Sequence, residues 1–198
     1  MGVEKKIMVI PGDGIGQEVT AWGQKVLTAI AENYHHTFTF EEGILGHAAI
    51  EATGEPLPGE TLQKARNADA ILFGAIGHAK YDNDPTLKVR PEQGLLKIRK
   101  ELGLYANLRP IKLFDELLEA SSIKPEILRG ADILFFRELT GDVYFGEKTR
   151  TADRNTASDL MIYHRYEVER IARDAYDAAR SRRKKLCSVE KANVLEAS

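Results

Sequence analysis

The chain has 198 residues, 43% of them hydrophobic and 29% charged, enough apolar material for one or two packed globular domains and not the balance of a disordered tail. Its formal charge of -2 leaves no overall basic field to gather nucleic acid or coat an anionic membrane, so any anion site must be local. Cys187 is the single cysteine, which excludes an internal disulfide and a cysteine-built metal centre and fits a reducing, cytoplasmic setting; the apolar run at residues 7–11 is too short for a signal core or a membrane span.

Short apolar runs alternate with longer amphipathic ones, which predicts an α/β fold with a largely parallel sheet and crossover helices. Residues 7–10 (IMVI) read as a buried strand that stops at a glycine-rich turn, 11–14. Val19, Trp22, Gly23, Val26, Leu27 and Ile30 then recur at helical spacing and predict a buried face. Residues 37–41 alternate as a strand, 56–59 break the chain, and 70–73 (AILF) form another buried strand ending at Gly74. The polar, turn-rich stretch 77–91 is too long for an idle connector and is expected to face a ligand.

Residues 95–102 read as helical, 105–108 as extended up to Pro110, and 133–136 as a buried strand ending at Arg137. Residues 149–158 are polar and suit an exposed arm. Val168, Ile171, Ala172, Ala175, Ala178 and Ala179 make an apolar helical stripe, with Glu169, Arg170, Arg173, Asp174 and Asp177 opposite. That helix ends in a basic cluster, Arg180 and Arg182 to Lys185, which suits the negative pole of its dipole and lacks the aromatic platform of a nucleic-acid site.

The loop Pro11-Gly12-Asp13-Gly14-Ile15-Gly16 joins a strand to a helix, where backbone amides can approach an anion or a dinucleotide. It is not a Rossmann fingerprint, because Gln17 stands where a further glycine would be needed, and a plain tight turn is the alternative. Arg99 on a helix, with Arg109 and Arg137 after strands, would suit a substrate bearing two carboxylates; solvated surface arginine is the alternative. Tyr144 lies between Gly141 and Gly146, where the backbone can bend around a site and a phenol can donate a proton. Lys191 is placed at the end of a short apolar strand, where partial burial would favour the neutral amine and make it a base; a snorkelling lysine is the alternative.

Four segments in this order, residues 11–18 (PGDGIGQE), 94–110 (GLLKIRKELGLYANLRP), 137–146 (RELTGDVYFG) and 167–196, resemble the 3-isopropylmalate dehydrogenases of the isocitrate/isopropylmalate dehydrogenase family. The resemblance covers essentially the whole chain. It implies that family's fold, not a Rossmann fold: a first α/β domain on the cofactor side over residues 1–104, and part of a second, dimerising α/β domain over 105–198. It implies NAD-dependent oxidative decarboxylation of 3-isopropylmalate in leucine biosynthesis, by a homodimer.

By the same resemblance Arg99, Arg109 and Arg137 hold the substrate carboxylates and Leu95 and Leu96 pack its isopropyl group. Tyr144 gives a proton to the enolate carbon, and Lys191, reaching across the dimer, helps remove the hydroxyl proton. Ile15, Gly77, His78, Glu92 and Asn193 contact NAD. Adjacent leucines one turn before Arg99 can pack alkyl carbon, each buried methylene worth about 0.8 kcal/mol, but cannot satisfy a third carboxylate.

The sequence departs from the family pattern at Asp142, where a second glycine is expected, and at His78-Ala79, where Gly-Pro is common. The family's Mg²⁺ or Mn²⁺ aspartates are expected beyond residue 198, so this chain supplies none and is expected to show no turnover by itself. The rival readings are an isocitrate, homoisocitrate or tartrate dehydrogenase of the same fold, and a non-catalytic binding subunit that kept a half-site.

Overall fold

A computed structural model describes residues 2–82, 84 and 86–197. The chain divides into two units, Met1–Leu102 and Gly103–Ser198. The first unit runs β1 (Glu4–Ile10), α1 (Ile15–Tyr34), β2 (Thr37–Glu42), α2 (His47–Thr53), α3 (Gly59–Arg66), β3 (Ala70–Phe73), a single helical turn (Ala79–Tyr81) and α4 (Pro91–Glu101). Its three strands form a parallel sheet in the order β2-β1-β3, with Ile7 opposite both Phe40 and Ala70. A central strand covered on both faces has no polar side to offer, and Ile7, Met8, Val9 and Ile10 are all buried. Met8 and Ile10 point to one face, where Leu45, Leu57, Ala65 and Ile98 complete the core.

The face of α1 differs from the one expected. Val19, Trp22, Val26 and Ile30 are exposed, while Gly16, Thr20 and Ala31 are buried and Gly23 lies against Leu72. Small residues let the helix backbone approach the sheet closely, and the larger side chains one row away are carried clear of it. Periodicity marked an apolar stripe correctly but could not say which edge of it this sheet would cover.

The second unit runs β4 (Ala106–Lys112), a short helical stretch (Asp115–Ala120), α5 (Pro125–Leu128), β5 (Asp132–Glu138), one turn of helix (Asp142–Tyr144), β6 (Lys148–Arg150), β7 (Ala157–Asp159) and α6 (Arg165–Ser181). Its pairings are antiparallel, β4 with β5 and β6 with β7. Pro110 sits inside β4 opposite Leu134, which a two-stranded ribbon tolerates because one strand edge is always free. Ile133 and Phe135 are half exposed, so β5 is not the fully buried strand expected. The polar segment after Tyr144 is the exposed β6-β7 hairpin, with Thr149 opposite Ser158 and their hydroxyls 2.7 Å apart.

Helix α6 turns most of the expected stripe inward, with Ile171, Ala175, Ala178 and Ala179 half-buried, but charged residues share the packed face. Glu167 is buried and Arg170 and Asp174 are partly covered, whereas Val168 stays exposed. Charged groups are tolerated on a packed face when each finds a partner: Arg170 pairs with Glu138 at 2.6 Å, and Asp174 accepts the Tyr105 hydroxyl at 2.6 Å. After α6 the chain has no regular structure over residues 185–191, and Val189 is 87% exposed, so the short apolar strand expected before Lys191 is not formed.

Asp142 adopts φ of 66°, in the left-handed region. Its N–H donates to the Ile162 carbonyl at 2.8 Å. Burial, then the adjacent Asp142 carboxylate and its hydrogen bond, hold the Tyr163 phenol above its ordinary range. Asp142→Ala is therefore expected to be less stable than Asp142→Gly by about 1 kcal/mol, since both lack the carboxylate and only the former keeps a Cβ at positive φ. Urea denaturation of the two variants checks this, and equal midpoints would show that the turn relaxes.

Candidate functional site

In the first unit the site residues are organised around Asp13. It stands in the turn after β1 and is 4% exposed. Its carboxylate accepts the backbone N–H groups of His47 at 2.9 and 3.0 Å, Ala48 at 3.4 Å and Gly77 at 3.0 Å, and its own N–H donates to the Ala75 carbonyl at 2.7 Å. Helix α2 begins at a glycine with no side chain to cap it, so Asp13 satisfies its first amides from 34 residues away and places negative charge at the positive end of its dipole. A Cβ at Gly46 would lie 2.5 Å from that carboxylate, which leaves room only for glycine. The turn thus spends its acid on the chain's own amides, and Asp13 ties the β1 turn, α2 and the 75–77 segment together.

This brings Ile15, Gly77 and His78 into one region of the unit. Ile15 opens α1 and is exposed. Gly77 has φ of 136°, and a Cβ there would meet the Glu92 carboxylate at 3.3 Å. His78 is exposed on one face; its ring stacks on His47 at 4.0 Å between centroids, and the His47 Nδ1 lies 3.2 Å from the hydroxyl of buried Tyr81. The Arg90 guanidinium donates to the Tyr81 carbonyl and, at 2.8 Å, to the Asp84 carbonyl, which ties both residues to the start of α4. Sequence reasoning placed the loop but missed both Asp13 and Arg90.

Helix α4 starts with Pro91 after a reciprocal cap between Arg90 and Gln93. It buries Pro91, Gly94 and Ile98, and a second row, Glu92, Leu95, Leu96 and Arg99, runs alongside at spacings of three and four. Leu95, Leu96 and Arg99 are half-buried and Glu92 is exposed. One helix face therefore offers a carboxylate, two alkyl side chains and a guanidinium in succession.

In the second unit the β4-β5 register puts Asn107 opposite Arg137 and Arg109 opposite Phe135. Side chains directly opposite, and those two apart along a strand, share a face, so Arg109 and Arg137 are diagonal neighbours, a separation of about 7–8 Å between backbones. Arg109 lies inside β4 and Arg137 inside β5, not beyond the strand ends as expected. The Arg109 Nε donates to the Asn107 side chain at 2.6 Å. The Arg137 guanidinium donates to the Tyr144 hydroxyl and lies 5.3 Å from its ring centroid. Two guanidiniums, an amide and a phenol converge on one open face. Lys191 and Asn193 are not brought to this cluster; both lie in an exposed turn in which the Lys191 carbonyl accepts Leu195 N–H at 2.8 Å.

On the opposite face Glu138 accepts Thr140 N–H at 2.6 Å, the Thr140 hydroxyl at 2.8 Å, Gly141 N–H at 2.7 Å and Arg170 at 2.6 Å. Burial, the largest single influence, pushes the Glu138 carboxyl up, but the Gly141 amide, Arg170 and Thr140 together outweigh it and hold it below its ordinary value. Among the described residues no group of three or more His, Cys, Asp or Glu side chains is placed to hold a metal ion, and no helix is long and apolar enough to cross a membrane.

The family model of isocitrate/isopropylmalate dehydrogenase matches residues 6–198. The chain belongs to that family. It is 54% identical over 198 residues to a 3-isopropylmalate dehydrogenase of Rhodopirellula baltica, covering 99% of this chain and 55% of that one. It is 52% identical over 199 residues to one of Shouchella clausii, covering 99% and 54%. Among solved structures, an isocitrate dehydrogenase from Methylococcus capsulatus aligns with a TM-score of 0.77 at 28% identity, covering 98% of this chain and 53% of that chain. A β-decarboxylating dehydrogenase from Thermococcus kodakarensis aligns with 0.67 at 34%, covering 97% and 50%. The chain spans about half the length of the relatives it matches.

Two outcomes follow for the carboxylates that organise these units. Asp13→Ala leaves amides of α2 and Gly77 unpaired and is expected to lower stability by about 3 kcal/mol, with Asp13→Asn intermediate because it keeps one acceptor. Denaturant midpoints read this, and a loss no larger than that of a surface substitution would count against the hub. Because the folded-state pKa of Glu138 is depressed, its contribution is complete above the ordinary value of 4.5 and disappears as pH falls through the lower folded value. The stability difference between the native chain and Glu138→Gln should therefore shrink as pH falls below the ordinary carboxylate range, and a constant difference would refute that coupling.

Proposed function

We propose that the chain carries the substrate-binding face of an NAD-dependent 3-isopropylmalate dehydrogenase, which oxidises and decarboxylates 3-isopropylmalate to 4-methyl-2-oxopentanoate for leucine biosynthesis in the cytoplasm. The observation that carries this reading is the open face of β4-β5, where Arg109, Arg137 and Tyr144 stand together. Guanidinium forks match carboxylates bidentately, and a substrate with two carboxylates needs more than one. Arg109 and Arg137 bind carboxylate there, and Arg99 on α4 likewise pairs with carboxylate. The half-buried Leu95 and Leu96 beside Arg99 supply alkyl packing, which favours an isopropyl group over the further carboxylate of an isocitrate-type substrate. The names of the two relatives support the same choice.

The unit Met1–Leu102 is read as the cofactor side and Gly103–Ser198 as the substrate and dimer side. Ile15, Gly77, His78 and Glu92 border NAD, with the tight approach of Gly77 to Glu92 keeping the backbone bare of a Cβ; Asn193 is assigned to the cofactor as well. NAD, when bound, supplies the hydride acceptor. Mg²⁺ or Mn²⁺ is the expected metal, and the described residues of this chain hold no ligand cluster for it. Tyr144 holds the proton delivered to the enolate carbon, and the Arg137 guanidinium beside its oxygen fixes where that proton is presented. Lys191, exposed in this chain, removes the hydroxyl proton in a neighbouring subunit of a homodimer.

Arg109→Met is expected to weaken 3-isopropylmalate binding by roughly 10- to 100-fold, the worth of a charge-assisted pair, and isothermal titration of the enzyme measures it. Unchanged affinity would remove Arg109 from the clamp. A substrate panel in which isocitrate, homoisocitrate or tartrate outperforms 3-isopropylmalate would shift the reading to those acids.

A further inference from the structure

The end of β5 sets two charged side chains back to back. Arg137 shares its face with Arg109 and Asn107, and Glu138, the next residue, points to the other side of the strand, where it meets α6. There its carboxylate accepts the backbone amides of Thr140 and Gly141, the residues that lead into the single helical turn carrying Tyr144. The carboxylate is in turn held by Arg170, 32 residues further on, whose guanidinium lies 4.3 Å from the Tyr105 ring centroid and 5.2 Å from that of Tyr166. Tyr105 is itself fixed through the 2.6 Å bond from its hydroxyl to Asp174. Arg170 also donates to the Thr140 hydroxyl, so it grips the turn at two points.

Around Tyr144 itself the guanidinium is that of Arg137, an exposed side chain 5.3 Å from the ring centroid. Tyr144 is 36% exposed, and its hydroxyl meets Arg137 across open surface. The place of the phenol is therefore set by the backbone that delivers it, residues 138–144, and that backbone is anchored at its start by Glu138 and Arg170. A second ion pair joins the same helix and strand, Arg182 to Asp132 at 2.6 Å, but it lies at the other end of β5 and touches no part of this turn.

We propose that Arg170 is a positioning residue for the Arg137–Tyr144 pair: by clamping Glu138 and Thr140 it fixes the 138–141 turn and, through it, where the Tyr144 phenol stands over the Arg137 guanidinium. The assignment rests on the reading of Tyr144 as proton donor and Arg137 as carboxylate ligand. Arg170 touches neither substrate nor cofactor in this scheme. Its effect belongs to the delivery of the proton, so its loss falls on kcat more than on KM, because Arg137 stays on its strand.

Tyrosine labelled with ¹³C at Cζ tests this, with Tyr144→Phe assigning the resonance and Arg137→Met marking the position of a phenol released from its partner. Arg170→Met and Glu138→Gln are expected to move the Tyr144 signal towards the Arg137→Met value, and Arg170→Lys, which keeps the charge, to move it less. Arg182→Met should lower the melting temperature while leaving the signal in place, which a merely structural role for Arg170 would not distinguish. In an enzyme of the relatives' full length turning over 3-isopropylmalate, Arg170→Met should lower kcat on the order of 10-fold with little change in KM. Folded Arg170→Met and Glu138→Gln proteins whose Tyr144 signal stays at the native position would overturn the proposal, as would an Arg182→Met shift of equal size. Should Arg170→Met not fold, Glu138→Gln and Arg170→Lys decide. A native protein that binds no 3-isopropylmalate in isothermal titration would refute the substrate reading, while the spectroscopic comparison would still judge the positioning.

Discussion

A carboxylate bonded to the chain's own amides holds the chemistry-bearing segment in each unit. Asp13 joins the turn after β1, the start of α2 and Gly77; Glu138 joins β5 to the turn before Tyr144. Removing such a group from water costs free energy that only several short hydrogen bonds offset, and this makes the arrangement specific. A loop carried by such a carboxylate has one low-energy position, whereas a loop of exposed glycine and polar residues has many. Both acids face backbone N–H groups, which occupy the oxygens a general base would need. They are structural acids next to chemical groups.

The chemical groups themselves are more open. Arg109, Arg137 and Tyr144 lie on an exposed face of a two-stranded ribbon, and Glu92 and Arg99 lie on the outer row of α4. That division suits a binding surface. Guanidiniums kept in water retain their charge and can exchange hydration for a carboxylate, while rigid elements fix their spacing. In the proposed reading the leucines beside Arg99 add alkyl packing, and their inability to pair with charge would favour a branched diacid over a triacid.

Much of this was legible in the residues. The buried strand at 7–10, the strand at 70–73, the helix over 95–102 and the exposed polar arm at 149–158 follow from apolar period and turn chemistry, and the family follows from four segments in register. What misled was the choice of face. On α1, Val19, Trp22 and Val26 carry the hydrophobic signal, yet Gly16, Thr20 and Gly23 make the contact, because close approach to a sheet is decided by side-chain size as well as polarity. On α6, Arg170 and Asp174 sit on the packed side because Glu138 and Tyr105 await them there.

The sequence alone determined the class of fold, several of its strands and helices and the identity of the residue types able to bind a carboxylate, since those depend on local period and on side-chain chemistry. Only the tertiary structure decided that Arg109 and Arg137 share a face, that Asp13 serves α2 from 34 residues away, and that Arg170 holds Glu138 and Thr140. The physical reason is common to all three. Each depends on a strand register or a hydrogen bond between segments far apart in the chain, and no local pattern encodes which distant partner will neutralise a charge or satisfy an amide.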